Sequence, residues 1–179
     1  PGMVARIVDP DTGVPVALGQ AGLLLVKGPN VMQGYLGQAE KTAEVLRDGW
    51  YTTGDIAAMD ADGFLAITDR LSRFSKIGGE MVPHIKVEEN LHELGELTEQ
   101  TFAVTGVPDE RKGERLVVLY QNLDESAVQS IAEKMTATDL PNIWKPRSDQ
   151  FFKVEALPYL GTGKLDLKQI KTLAAELSP

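Results

Sequence analysis

Residues 68–83 read TDRLSRFSKIGGEMVP, and the chain changes character across them. Before them lie short β-type runs separated by turn residues. After them, strands alternate with runs whose apolar residues recur at helical spacing. RFSKIGGEMVP predicts a two-stranded hairpin bent at Gly78-Gly79, because glycine takes up the positive φ of a tight turn without steric cost. Arg70, Arg73 and Lys76 alternate with apolar and small residues. Two readings are open: an anion or ribose site at a hinge, or a solvated edge strand whose charge discourages aggregation. The glycine pair is equally open. It serves the bend alone, or it lets a ligand chain approach the backbone closely.

Toward the N-terminus, MVARIVD (3–9) and AGLLLVKG (21–28) predict strands, with DPDTG (9–13) as a turn cluster. A short helix is expected over 38–46. DGWYTTGD (48–55) opens on an Asp-Gly turn, and AAMDADGFLAITDR (57–70) predicts a hairpin about an Asp-Ala-Asp-Gly turn. Several short strands joined by turns indicate a small barrel or curled sheet. Toward the C-terminus, residues 86–97 place Val87, Leu91 and Leu94 on one helical stripe. Residues 101–122 predict strand, charged turn, strand. Val128, Ile131, Ala132 and Met135 share a face of a helix over 125–137. FFKVEAL (151–157) predicts a strand. Asp166 is a suitable N-cap for a last helix that buries Leu167, Ile170, Leu173, Ala174 and Leu177. The expected fold class is α+β: a small β-barrel-like subdomain over 1–68, then an α+β domain over 69–179, with the boundary near 69–72.

Composition narrows the function. The net charge is −8 and no basic cluster stands out, which argues against a nucleic-acid partner. No apolar run reaches membrane-spanning length. Cysteine is absent, which excludes disulfides, Cys-based metal sites and a covalent thioester on the chain's own sulfur. His84 and His92 stand outside the common metal-ligand spacings and are expected to be structural or surface residues. The chain opens at Pro1 in strand-like sequence, so a piece of a longer polypeptide is expected.

Single motifs are ambiguous. In YTTGD (51–55), Asp55 could accept two hydrogen bonds from a vicinal diol such as ribose, or merely close a strand in an Asx turn. LPYLGTGKLD (157–166) suggests a phosphate loop, yet the spacing fails. A P-loop has glycine five residues before the Gly-Lys pair and Ser or Thr after the lysine, and here those positions are Pro158 and Leu165. Taken locally, Lys164 is an exposed turn lysine.

In register, the motifs say more. DGWYTTGD, then DR (69–70) with KIGGEMVP (76–83) and VEE (87–89), then GVPDERKGERLV (106–117) and LPYLGTGKLD resemble the C-terminal part of the adenylate-forming, acyl-activating enzymes. RFSKIGGEMV with YLGTGKLD is most similar to the synthetase half of the bacterial bifunctional acyl–acyl carrier protein synthetase/2-acylglycerophosphoethanolamine acyltransferases. The resemblance implies that residues 1–68 end a large N-terminal adenylation domain and that residues from 69 form a small mobile domain. It implies a fatty acid activated by ATP with Mg²⁺, and an acyl group passed to the phosphopantetheine thiol of acyl carrier protein or CoA. By motif, Asp55 and Arg70 lie at the ATP/AMP ribose, Gly79 beside the pantetheine channel, and Lys164 at the reacting phosphate. Ser72 takes the hinge position. The family usually has Asp or Lys there, so its hinge electrostatics are not reproduced. The rest of the adenylation domain is the implied partner, and the chain alone is expected to be inactive with little ATP binding. Arg70, Arg73, Lys76, Arg111, Lys112 and Arg115 are candidates for docking an acidic carrier protein. The lipid-linked resemblance places the parent on the cytoplasmic side, with any membrane contact made through the parent. A non-catalytic interaction module is the competing class, in which Asp55 and Lys164 are dispensable.

Overall fold

A computed structural model describes residues 2–178. The chain divides into two compact units, one running to Leu71 and the other starting at Ser72.

The first unit is a curled antiparallel sheet of β1 (Val4–Val8), β2 (Gly22–Lys27), β3 (Leu46–Arg47), β4 (Trp50–Met59) and β5 (Leu65–Arg70), with one short helix, α1 (Ala39–Val45). The strand order is β1-β2-β4-β3, and β5 also pairs with β4. Ile7, Leu24 and Ala57 form its small core with Val16, Val26 and Met59 packed around them. The hairpin expected over 57–70 is present, closed by Asp60, whose Oδ1 accepts from the Asp62 and Phe64 amides at 3.0 and 2.9 Å.

The second unit is a mixed sheet of β6 (Phe74–Ile77), β7 (Glu80–Pro83), β8 (Phe102–Asp109), β9 (Gly113–Tyr120) and β10 (Phe151–Lys153). The order is β10-β9-β6-β7, with β8 also on β9; β10 runs parallel to β9 and the other pairs are antiparallel. Helices α2 (His84–Gly95), α3 (Glu125–Thr136) and α4 (Leu167–Leu177) complete it. The period-2 alternation of strand side chains assigns the two cores. Phe102, Val104, Leu116, Val118 and Tyr120 pack with Val87 and Leu91 of α2 and with Val128, Ile131 and Met135 of α3. Ala103, Val107, Val117 and Leu119 pack with Ile170 and Ala174 of α4. Strands buried on both faces need near-continuous apolar sequence, which is how 102–107 and 116–120 read.

Several boundaries moved for local reasons. Helix α2 begins at His84 rather than 86, directly after Pro83, and ends at Gly95 with Glu96 in the left-handed region at φ +54°. The strand expected over 151–157 stops at Lys153. Its partner β9 ends at Tyr120, whose carbonyl accepts the Val154 amide as the chain turns away. Asp166 caps α4 through the Lys168 and Gln169 amides, at 3.1 Å each. Leu177, expected in the buried stripe, is 40% exposed because it ends the last turn.

Gly106 of β8 shows how tightly the second unit is packed. A Cβ there would lie 1.9 Å from Ser75 Oγ, and Ser75 is itself buried and bonded to His84. Gly106→Ala should therefore destabilise the second unit by about 1–3 kcal/mol, read from urea unfolding. A neutral substitution would show that Ser75 can rotate away.

Candidate active-site elements

Asp55 lies within β4, and a bulge aims it. Between the pairs Leu25↔Thr52 and Leu23↔Ile56, residues 53–55 of β4 stand opposite Leu24 alone. Gly54 takes the positive φ this requires, +75°. The Thr53 hydroxyl donates to the Leu24 carbonyl at 2.8 Å and accepts the Asp55 amide at 3.0 Å, which fixes the bulge. The strand continues to Met59, so the Asx turn closing a strand, left open by the sequence, is not formed.

Arg70 is the cross-strand partner of Asp55 in β5, and its Nε approaches Asp55 Oδ1 at 2.9 Å. The side chains are 24% (Asp55) and 65% (Arg70) exposed, so the pair contributes little to stability. The contact is made to Asp55 Oδ1. The Tyr51 phenol hydrogen-bonds Tyr35, which pushes its pKa up, and it lies within the field of Asp55 and Arg70.

In the second unit, Ser72 is exposed within the short 3₁₀ turn Leu71–Arg73. Arg73 corrects the sequence reading. It is neither part of a solvated edge nor available for docking. It is buried, and its Nη2 meets Glu88 Oε2 of α2 at 2.6 Å. The other oxygen, Glu88 Oε1, accepts the Val104 amide at 2.7 Å. Burial pushes the Glu88 carboxyl up, and Arg73 and the Val104 amide pull it back. The pair pins the first residues after the unit boundary to α2 and β8. Nor is β6 an edge strand, since it pairs with β7 and, at Ile77↔Gly113, with β9.

Gly78 and Gly79 form the two-residue turn between β6 and β7, with φ +60° and +90°. The Gly78 amide donates to the Lys112 carbonyl at 2.9 Å, tying the turn to the 109–113 loop. Next to it is a recess of about 620 Å³ lined by Ile77, Leu116 and Ile143 and by five cations: Arg111, Lys112, Arg115, Lys145 and Arg147. Its one carboxylate is Asp109, whose pKa is lowered by the Lys112 and Arg111 amides it accepts. Sequence reading found Arg111, Lys112 and Arg115 but missed Lys145 and Arg147. These come from a segment about thirty residues further on, and the fold brings them in. Lys145 is anchored by the Thr136 and Thr138 carbonyls at 3.1 and 2.7 Å, and Arg147 pairs with Asp149 at 3.1 Å.

Lys164 is exposed at the turn of a small hairpin. Tyr159 bridges Leu165, the Leu160 amide donates to the Lys164 carbonyl at 2.7 Å, and the Gly163 amide donates to the Leu160 carbonyl at 2.9 Å. Gly163 has φ +79°. The hairpin is held at its base by Leu157, buried against α4, and by the Asp166 cap. The glycines shape the turn and make no phosphate cradle. Among the described residues the Lys164 ammonium has no protein partner, so folding makes no use of its charge.

No family model matches the chain. Relatives and solved structures do. It is 39% identical over 163 residues to a feruloyl-CoA synthase of an Amycolatopsis species, covering 89% of this chain and 32% of that protein. It is 33% identical over 171 residues to a long-chain-fatty-acid–CoA ligase of Salmonella typhimurium, covering 96% and 30%. ATP-bound MatB from Rhodopseudomonas palustris superposes with a TM-score of 0.76 at 27% identity, covering 100% of this chain and 35% of that one. In sequence and fold, the chain corresponds to the C-terminal portion of the adenylate-forming acyl-CoA ligase superfamily. It spans about a third of the length of these curated relatives.

Proposed function

We propose that the chain is the C-terminal part of an ATP-dependent acid–thiol ligase, with CoA as the acceptor. The observation that carries this reading is Lys164, an unpartnered ammonium held out on an ordered hairpin. A carboxylate oxygen of the acid attacks the α-phosphorus of ATP. The acyl–phosphate bond forms, the bond to the β-phosphate breaks, and pyrophosphate leaves. A thiolate then attacks the acyl carbonyl, the C–S bond forms, and AMP departs. Asp55, oriented by Arg70, suits the ribose hydroxyls as an acceptor, and Lys164 suits the charge building on phosphate oxygens. Among the described residues no three His, Asp or Glu side chains gather as metal ligands, so no step is assigned to a Mg²⁺ held by this chain.

The basic recess beside the Gly78-Gly79 turn supports a phosphate-bearing acceptor. Five cations against Asp109 in the lining and Asp149 beside Arg147, in a chain of net charge −8, leave a positive excess that suits the phosphates of a pantetheine nucleotide. The relatives' names point to CoA. The carrier protein expected from the narrower resemblance is the second reading, favoured only by its acidity. Lys112→Glu combined with Arg147→Glu in the full-length ligase should raise the KM for CoA by roughly 10-fold or more while adenylation is unchanged. Dephospho-CoA should be less sensitive to the change than CoA. If a carrier protein loses salt-dependent binding in this variant while CoA kinetics stay constant, the acceptor is the protein. If neither acceptor responds, the recess is not the acceptor site.

A further inference from the structure

Among the described residues of the second unit, the large apolar side chains left exposed are Tyr159 at 46%, Leu160 at 48% and Leu177 at 40%. Leu177 closes α4. Tyr159 and Leu160 are adjacent, and both sit in the hairpin that carries Lys164. They are not slack chain. Leu160 exchanges backbone hydrogen bonds with Lys164 and Gly163, and Tyr159 bridges Leu165, so the pair moves with the backbone that carries Lys164. Leu157, two residues earlier, is 2% exposed in the α4 core. This segment therefore reaches apolar cover at one position and leaves it at the next large side chains. Two adjacent large apolar side chains on the Lys164 hairpin are available to a contact that the hairpin makes.

We propose that Tyr159 and Leu160 are positioning residues that seat the Lys164 hairpin by packing against an apolar wall of the ligase's nucleotide-binding portion during adenylation. The proposal rests on the reading of Lys164 above. The occupant follows from the hairpin: Lys164 has to enter the nucleotide site, and Leu160 is hydrogen-bonded to it. The chain spans about a third of its relatives' length, so most of the ligase that could supply such a wall lies outside it. Tyr159 and Leu160 touch no reacting atom. They set where the ammonium stops.

The test uses the full-length ligase. Tyr159→Ser combined with Leu160→Ser is compared with the conservative pair Tyr159→Phe and Leu160→Met, and with Lys164→Ala. Adenylation is followed by acid-dependent exchange of pyrophosphate into ATP, and the second half-reaction by thioester formation from preformed acyl-adenylate. The serine pair should lower the exchange kcat by roughly 10- to 100-fold, the scale expected when apolar anchors of this size fail to be buried. Thioester formation should stay within about 2-fold, and the conservative pair should restore exchange. Two outcomes overturn the seating role while leaving Lys164 its own: both half-reactions falling together, or exchange holding while Lys164→Ala loses it. If Lys164→Ala itself spares exchange, the role given to Lys164 in adenylation fails and the seating role falls with it. If the serine pair abolishes self-association or vesicle binding with exchange unchanged, the patch belongs to another contact and the seating role is overturned.

Discussion

Replacing Lys164 by alanine in the full-length ligase should cut adenylation by about 100- to 1000-fold, the usual loss when one well-placed stabiliser of developing charge is removed. Thioester formation from preformed acyl-adenylate should stay within a few-fold. The asymmetry follows from the chemistry. Adenylation joins a carboxylate to a polyphosphate, two anions that repel, and an ammonium between them offsets that repulsion in the transition state. At ~4 Å and an effective dielectric of ~20, such a contact amounts to roughly 4 kcal/mol before desolvation, enough for a loss of this size. The thiol step releases AMP and has no comparable clash. The structure makes the variant informative: Lys164 is exposed and its ammonium unpartnered, so the substitution should leave the thermal midpoint unchanged. Half-reaction assays decide it. Equal loss in both steps would overturn a role confined to adenylation, and no loss in either would show Lys164 to be dispensable.

The second unit should lose stability steeply in mild acid, and His84 is the reason. Its Nε2 lies 2.8 Å from Ser75 Oγ, and the residue is 3% exposed. Burial, with Arg73 and then Lys171 as further causes, lowers its pKa to about 3 from the ordinary 6.5. An imidazolium there would lose its water and face two cations. The folded pKa is depressed, so the neutral ring's contribution is present in full above about pH 6.5 and is lost as pH falls toward about 3. Each pH unit in that window is worth about 1.4 kcal/mol, so going from about pH 8 to about pH 5 should cost on the order of 2 kcal/mol. Urea unfolding at the two values measures it, with His84→Gln as the comparison, in which that pH-dependent loss should disappear. An NMR titration showing His84 charged in the folded state at about pH 5 would contradict the assignment.

The fold was largely legible because its signals are local. The near-continuous apolar runs at 102–107 and 116–120, the α3 stripe and the Asp166 cap each need only a few neighbouring residues to declare themselves. The errors fall where distant partners decide. Arg73 read as a surface cation because nothing near it in sequence shows that Glu88 and the Val104 amide close over it. Lys145 and Arg147 went unread as site residues because they reach the recess from a separate segment. The strand from Phe151 was given too many residues because its length is set by where β9 ends.

By itself the sequence determined the α+β class, the Gly78-Gly79 bend, the failure of the phosphate-loop pattern and the order of motifs that leads to Lys164 and Asp55. These depend on φ preferences, residue spacing and periodicity, which are properties of contiguous chain. Only the tertiary structure decided that Asp55 is aimed by a bulge and held by Arg70, that Arg73 is buried, that five cations converge beside the glycine turn, and that Tyr159 and Leu160 are left exposed around Lys164. Burial and charge convergence are properties of contacts between distant segments, and the chain creates those contacts only by closing its cores.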